Sequence, residues 1–352
     1  MYLTGLATEV PPRQFTQAEC WEALQRAPQF GRLNTRSHAL LRKVLSGENG
    51  TATRHLAVAK LEDAFVLTPD ALHARFALHA PALAAQAAQR AIGTARLTPA
   101  EVDAIIISTC TGYLCPGLTS YVSERLRLRP DVLTLDLVGQ GCGAALPNWR
   151  TAEALLAAGR AHHVLSVCVE ICSASFYLDD DPGVLISACL FGDGAGAAVL
   201  SARPAAHARR VEWKAAGSSH HPADRDALQL EQRDGMLRNI LTRAVPALAA
   251  RHASKLLAEV LEGCPLKRSE LTGWIMHAGG REVLAALQKS LGLHETDLRL
   301  SAGVLRDFGN VSSPFVLFVL ERALAGNAPG GWWWLSSFGA GFSCHGALLK
   351  VD

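Results

Sequence analysis

The chain contains no uncharged apolar run of the roughly 18 residues a membrane span needs, and residues 1–10 lack the basic start, apolar stretch and cleavage site of a secretory leader. Neither a spanning helix nor export is expected. Charge of one sign is also missing: 34 Lys and Arg stand against 32 Asp and Glu, a formal +2, scattered without a basic tail or an acidic block. Nucleic acid and membrane surfaces are held by concentrated charge, so neither is an expected partner. Short-period repeats and low-complexity tracts are absent as well. The nine cysteines are an odd number in a chain without a leader, which predicts reduced, buried thiols, no disulfides and a cytoplasmic location.

What is present is core material. Hydrophobic residues make up 49% of the chain and charged residues only 19%, and the Ala-rich stretches 84–91 and 154–158 suit closely packed buried helices. At 352 residues the chain exceeds what one core readily fills, which favours two similar halves. The break is expected near Ala202 to His207, around Pro204, giving halves 1–205 and 206–352.

A helix is expected over Thr16 to Ala27, and the front also holds a basic stretch with Arg36, Arg42, Lys43 and Arg54. Strand-length apolar runs follow at Ala104 to Ser108, Val132 to Leu137, His163 to Val169 and Ala195 to Leu200, separated by segments of helix length. In the second half a strand at Val211 to Ala216 precedes a long helix across Met236 to Leu261. A strand at Trp274 to His277, helices from Arg281 and across Ser313 to Leu324, and two closing strands complete the pattern. Such alternation predicts an α/β fold with a mostly parallel sheet covered on both faces.

Three positions carry chemistry. Cys142 lies in Gln140-Gly141-Cys142-Gly143-Ala144-Ala145, a sharp turn between a strand and a helix. The unpaired N–H groups at a helix start favour a thiolate, the reactive form of cysteine. His277 ends the apolar run Gly273 to Met276 and precedes Ala278-Gly279-Gly280, the strand-end position where α/β folds place function. Asn310 in Gly309-Asn310-Val311-Ser312-Ser313 opens another helix, and by itself it reads equally well as a helix cap. Cys110 with Cys115 and Cys168 with Cys172 have no nearby His and match no common zinc spacing, so no metal site is expected.

Together these motifs resemble the Cys-His-Asn set of type III polyketide synthases, the chalcone-synthase-like family. Further resemblance runs through Thr109-Cys110-Thr111-Gly112, Val167-Cys168-Val169-Glu170-Ile171, Leu190-Phe191-Gly192-Asp193-Gly194 and Ser337-Phe338-Gly339-Ala340-Gly341-Phe342. The resemblance implies a thiolase-like fold of two βαβ halves in an α-β-α-β-α stack, and a homodimer in which Cys115 lies near the partner's cavity. It implies that Cys142 accepts an acyl group from an acyl-CoA, that malonyl-CoA is decarboxylated with His277 and Asn310 holding the enolate, and that no metal or redox cofactor takes part. Phe191 would gate the cavity, Cys110, Cys172 and Ser175 would line it, and Gly279, Gly280 and Ser312 would complete the substrate contacts.

The third member, Asn310, separates the chain from thiolases, which use a second Cys, and from hydroxymethylglutaryl synthases, which use Glu. It does not separate it from initiating ketoacyl-ACP synthases. Ala278 replaces a family proline, and no residue after Asn239 matches the family's second gating Phe. Small pocket residues and the Met1 to Leu6 opening resemble bacterial alkylresorcinol and alkylpyrone synthases, which implies a long-chain fatty acyl starter. Aromatic or malonyl starters, of the chalcone or tetrahydroxynaphthalene type, are the alternatives within the class, and a catalytically dead binding protein of the same fold is the alternative outside it.

Overall fold

The computed structural model describes residues 1–352, apart from the side chains at positions 47 and 48. The first half contains β1 (Tyr2–Glu9), β2 (Gln14–Thr16), β3 (Thr53–His55), β4 (Ala104–Thr109), β5 (Leu133–Val138), β6 (His163–Glu170) and β7 (Gly194–Ser201). The second contains β8 (Val211–His220), β9 (Leu228–Arg233), β10 (Met236–Leu241), β11 (Leu271–Met276), β12 (Gly331–Gly339) and β13 (Ser343–Val351). Between them run α1 (Gln17–Arg26), α2 (Thr35–Lys43), α3 (Pro69–Thr94), α4 (Leu118–Leu126), α5 (Ala145–Ala157) and α6 (Pro182–Leu190), followed by α7 (Val245–Glu262), α8 (Arg281–Leu291), α9 (Arg299–Phe308) and α10 (Phe315–Ala325).

Among the described residues nine strands hydrogen-bond in the order β11-β12-β13-β8-β1-β7-β6-β4-β5. β1 and β8 join the two sides of this order, with Tyr2 opposite Glu212 and Leu3 opposite Val211. On one side β4 pairs parallel with β6, β6 antiparallel with β7, and β7 antiparallel with β1. On the other side β11 pairs parallel with β12, β12 antiparallel with β13, and β13 antiparallel with β8. The same pattern is laid down twice. The antiparallel pairings make the sheet mixed, where strand and helix alternation alone predicted a mostly parallel one.

Two helices pack between the sheet halves. Helix α5 touches β4 and β6 on one side and β12 and β13 on the other, while α10 touches β1 and β7 on one side and β11 and β12 on the other. A helix between two sheets has no solvent face, which is why Phe315, Val316, Leu317, Phe318, Val319 and Leu320 form an unbroken buried run. Outside them α3 covers β1, β6 and β7, and α7 covers β8 and β13, completing the five-layered stack. Gly5 of β1 permits a close approach to α3: a Cβ there would lie 2.2 Å from the Ala91 carbonyl oxygen.

One expected element is different. Residues 236–241 form β10, not the start of the helix over Met236 to Leu261, which begins at Val245. Arg233 lies opposite Met236, leaving Asp234-Gly235 as a two-residue turn with φ of 53° and 75°. Asp-Gly is a favoured pair for such hairpins because both central residues need positive φ. The apolar spacing of Met236, Leu237, Ile240 and Leu241 suits one helical face, and that spacing concealed the turn.

Candidate active site

Cys142 sits in a short 3-10 turn, Gly141–Gly143, that leads directly into α5. Gly141 has φ of 54°, and a Cβ there would stand 2.8 Å from the Ala340 backbone nitrogen, so both conformation and space require glycine. Asn310 lies ahead of the other central helix, α10, and its neighbour Ser312 adopts φ of 58° without being glycine. Such strain persists where the surroundings enforce it, and it clusters at functional sites. The two buried helices thus start at one place, one from each half.

A narrow cavity opens at Cys142. Of the residues expected to contact substrate, Cys110, Cys172, Ser175, Phe191 and Ser312 line it, together with Cys142 itself. His277, Asn310, Gly279 and Gly280 are not in its lining but are tied to it. The Asn310 side-chain amide donates to the Gly279 carbonyl at 3.2 Å and its oxygen accepts from the Ser312 N–H at 2.9 Å. Its backbone N–H donates to the Leu190 carbonyl, and its backbone carbonyl accepts from Gly192, bracketing Phe191. One amide hydrogen of Asn310 is left over.

Ser312 Oγ lies 3.2 Å from the Cys142 sulfur and 3.5 Å from the Cys110 sulfur. Behind them is Glu170, fully buried at the end of β6. One of its oxygens accepts from Thr109 Oγ1, the Cys110 N–H and Thr111 Oγ1, the other from the Cys110 thiol, Ser312 Oγ and Ser313 Oγ. Burial pushes the carboxyl up while these donors pull it down. Glu170 entered the sequence reading only within the Val167 to Ile171 motif, with no role at the site. The available signal was a lone acid closing a largely apolar eight-residue strand.

His277 has the opposite environment. It is 1% exposed, and neither ring nitrogen has a hydrogen-bond partner. Phe315 and Phe338 stand edge-on to its ring at 5.1 and 4.9 Å. Desolvation alone holds its pKa down at about 3. Desolvation likewise pushes the Cys142 thiol up to about 12, against a smaller lowering by Ser312. The resting pair is therefore thiol and neutral imidazole, whereas the helix start had suggested a thiolate: burial outweighs the partial charge of the turn. A neutral imidazole is the form that can accept the thiol proton.

The front basic stretch serves the frame. Arg54 is 3% exposed and donates to the Ala188 and Phe191 carbonyls at 2.7 and 2.9 Å, fixing the backbone at Phe191. Asp193, also buried, accepts from Ala57 and Ser173 and pins the next turn. On the opposite wall Leu241 packs against the cluster of Cys172, Leu190 and Phe191, as Cys142 also does. The nine cysteines are all unpaired.

A twofold α/β stack with a half-buried cysteine at the mouth of one central helix and a histidine without ring partners beside the other defines a thiolase-fold acyl-transfer enzyme. The chain belongs to the type III polyketide synthase family: residues 18–264 match the family described as FAE1/Type III polyketide synthase-like protein, and residues 213–351 match the C-terminal domain of chalcone and stilbene synthases. Members are acyltransferases that act by decarboxylative condensation of CoA thioesters.

The chain is 33% identical to a 3,5-dihydroxyphenylacetyl-CoA synthase of Streptomyces toyocaensis over 69% of its own length and 64% of that protein. It is 32% identical to a 1,3,6,8-tetrahydroxynaphthalene synthase of Streptomyces peucetius subsp. caesius over 99% of its length and 92% of that protein. Among solved structures, 1,3,6,8-tetrahydroxynaphthalene synthase from Streptomyces coelicolor A3(2) superposes with a TM-score of 0.89 at 26% identity, covering 100% of this chain and 99% of that one. PKS-I from the brown alga Ectocarpus siliculosus gives 0.91 at 25% identity, covering 99% and 98%. No helix among the described residues is long and apolar enough to cross a membrane.

Proposed function

We propose that the chain loads an acyl group from a CoA thioester on Cys142, extends it with malonyl-CoA and cyclises the product in the cavity described above. The observation that carries this reading is the buried, partnerless His277 tied through Gly279 and Asn310 to the residues around Cys142. A buried polar group without a partner is costly, and a site retains one where a ligand will complete it. His277 accepts the Cys142 proton as sulfur attacks the thioester carbonyl and keeps it through the condensation, while CoA departs as a thiolate that solvent protonates. Malonyl-CoA then loses carbon dioxide. The enolate oxygen takes hydrogen bonds from His277 and the remaining Asn310 N–H, and the enolate carbon attacks the Cys142 thioester, releasing the sulfur for the next cycle. The sequence balances without a metal or redox cofactor. It draws on both halves, 1–205 for the nucleophile and 206–352 for His277 and Asn310.

For the starter, a small unit such as malonyl fits better than a long acyl chain. The cavity is tight, with a free volume of only about 30 Å³, far below the roughly 300–1,000 Å³ range of ligand sites, and its lining includes Phe176, Phe191, Leu228 and Leu230. Both relatives named above carry the names of compact hydroxylated aromatics. The test is incubation with malonyl-CoA alone and then with acetyl-, aromatic and long-chain acyl-CoA starters, the products being weighed by mass spectrometry. A tetraketide or pentaketide aromatic from malonyl-CoA alone is expected. Alkylpyrones or alkylresorcinols formed only from fatty acyl-CoA would reverse the starter assignment, and a Cys142→Ala protein that still condenses would overturn the mechanism.

The same reading includes a homodimer. Strand β5 is a sheet edge with Leu133 44% and Val138 58% exposed, and Tyr113 nearby in sequence to Cys115 is 67% exposed. An unprotected apolar edge invites pairing with another strand, and a twofold axis pairs it with its own copy. Sedimentation should give a dimer for the native chain and a monomer for Val138→Lys. Nine free thiols suit a reducing cytosol, and sedimentation of the protein with membranes after cell fractionation would count against that placement.

A further inference from the structure

The β9–β10 hairpin walls the cavity opposite Phe191, and its two faces differ sharply. Register places Arg238 opposite Glu231, Asn239 opposite Leu230, and Leu241 opposite Leu228. Cross-strand partners share a face, and successive residues alternate. One face therefore carries Leu228, Leu230, Asn239 and Leu241, and the first three of these line the cavity at Cys142. Gln229, the other amide in the lining, is set by its register opposite Ile240 on the reverse face. Asn239 is thus the amide on the leucine face of this hairpin, in the same cavity lining as Cys142.

The reverse face holds the hairpin in place. Arg238 is 8% exposed, and its guanidinium donates to Asp179 through Nε at 2.8 Å and to Glu231 through NH1 at 2.8 Å, with Asp181 at 3.5 Å. Asp181 also caps α6, the helix that delivers Phe191. A planar guanidinium held by several carboxylates is a stiff joint, because its fork fixes direction as well as charge. The residue after Arg238 inherits that rigidity, and the backbone of Asn239 is locked relative to α6 and to the cavity.

A growing β-keto chain on Cys142 carries a ketone oxygen at every second carbon. Each is an acceptor only, and each loses water on entering an apolar-walled cavity. We propose that Asn239, set by the Arg238 anchor, donates its side-chain N–H to such a ketone oxygen, retains the chain through the later condensations, and so determines how many extensions precede release. Asn239 is a specificity-determining residue in this role, and Arg238 a positioning one. The inference rests on the polyketide reading of the site.

The test uses the full-length protein with malonyl-CoA and three separate readouts: acyl loading on Cys142 by intact-protein mass, decarboxylation by malonyl-CoA consumption, and the ratio of full-length product to early-released lactones by mass spectrometry. For Asn239→Leu, loading and decarboxylation stay within about twofold, while the ratio falls roughly tenfold, the effect of one lost hydrogen bond. Asn239→Asp gives the same fall, because a carboxylate accepts and cannot donate to a ketone. Arg238→Lys, which keeps the charge and loses the fork, gives an intermediate fall with loading intact. An unchanged product ratio in Asn239→Leu, or full retention in Asn239→Asp, overturns the proposal while leaving the polyketide reading in place. A native protein that loads nothing on Cys142 overturns the reading itself, and its signature is distinct.

Discussion

Glu170 and His277 are both buried titratable groups at or just beyond strand ends, one in each half, and their surroundings are opposite. Glu170 closes β6 with three donors on each carboxylate oxygen. His277 follows β11 with two phenylalanine rings and no partner for either nitrogen. The first environment is complete without a ligand and holds Cys110, Thr111, Ser312 and Ser313 in fixed relation. The second is complete only when something with an acceptor or an acidic proton arrives. Low dielectric strengthens a satisfied network and penalises an unsatisfied group, so stability should concentrate in the first half of the site and chemistry in the second.

The sharpest way to break that contrast is to exchange a polar group for an apolar one in each half. His277→Phe is expected to lower condensation by about a thousandfold, within the range for loss of a general base, with a melting temperature equal to or above that of the native chain, since two unpaired nitrogens are removed. Glu170→Leu is expected to cost about 3 kcal/mol of stability by leaving the Cys110 N–H and the surrounding hydroxyls without an acceptor. Urea unfolding followed by circular dichroism distinguishes them. Equal destabilisation in the two variants would remove the contrast.

Acid provides a graded test. The folded pKa of His277 is held down at about 3 and that of His345 at about 4, both mainly by desolvation, from an ordinary 6.5. Below 6.5 the unfolded chain takes up protons that the folded chain refuses, so this stability is full at neutral pH and is lost as pH falls toward 4. Each histidine contributes a slope of about 1.4 kcal/mol per pH unit in that window. Glu170 and Asp193, with carboxyls pushed up by burial, contribute with the opposite sign, their stability being lost as pH rises. The difference between native and His345→Phe stabilities from pH 7 to 5 isolates one histidine, and a difference that does not change with pH would contradict its buried neutral state.

A smaller effect is expected at the nucleophile turn. Gly141→Ala adds a methyl 2.8 Å from Ala340 N at φ of 54°, which should cost about 1–2 kcal/mol and slow loading on Cys142 more than it lowers the melting temperature. Loading rates by stopped-flow release of CoA would show the split, and loading at the native rate would mean that the turn tolerates the shift.

The sequence by itself determined the α/β alternation and marked Cys142 and His277 as candidates, because strand ends followed by Gly-rich turns and helix starts are local features, whereas Asn310 stood out only through motif resemblance. Phe191 and the cavity residues Cys110, Cys172, Ser175 and Ser312 were legible through motif resemblance. What only the tertiary structure decided depends on long-range proximity. The mixed pairing of the sheet comes from which strands meet, and the β9–β10 hairpin from a cross-strand register that its helix-like apolar spacing disguised. The neutrality of Cys142 and His277 comes from burial by β12, α10 and the facing loops, which outweighs the helix start. Glu170 acquires its place only because the ends of β4 and β6 and the start of α10 converge on it, a fact about three distant segments that no window of sequence contains.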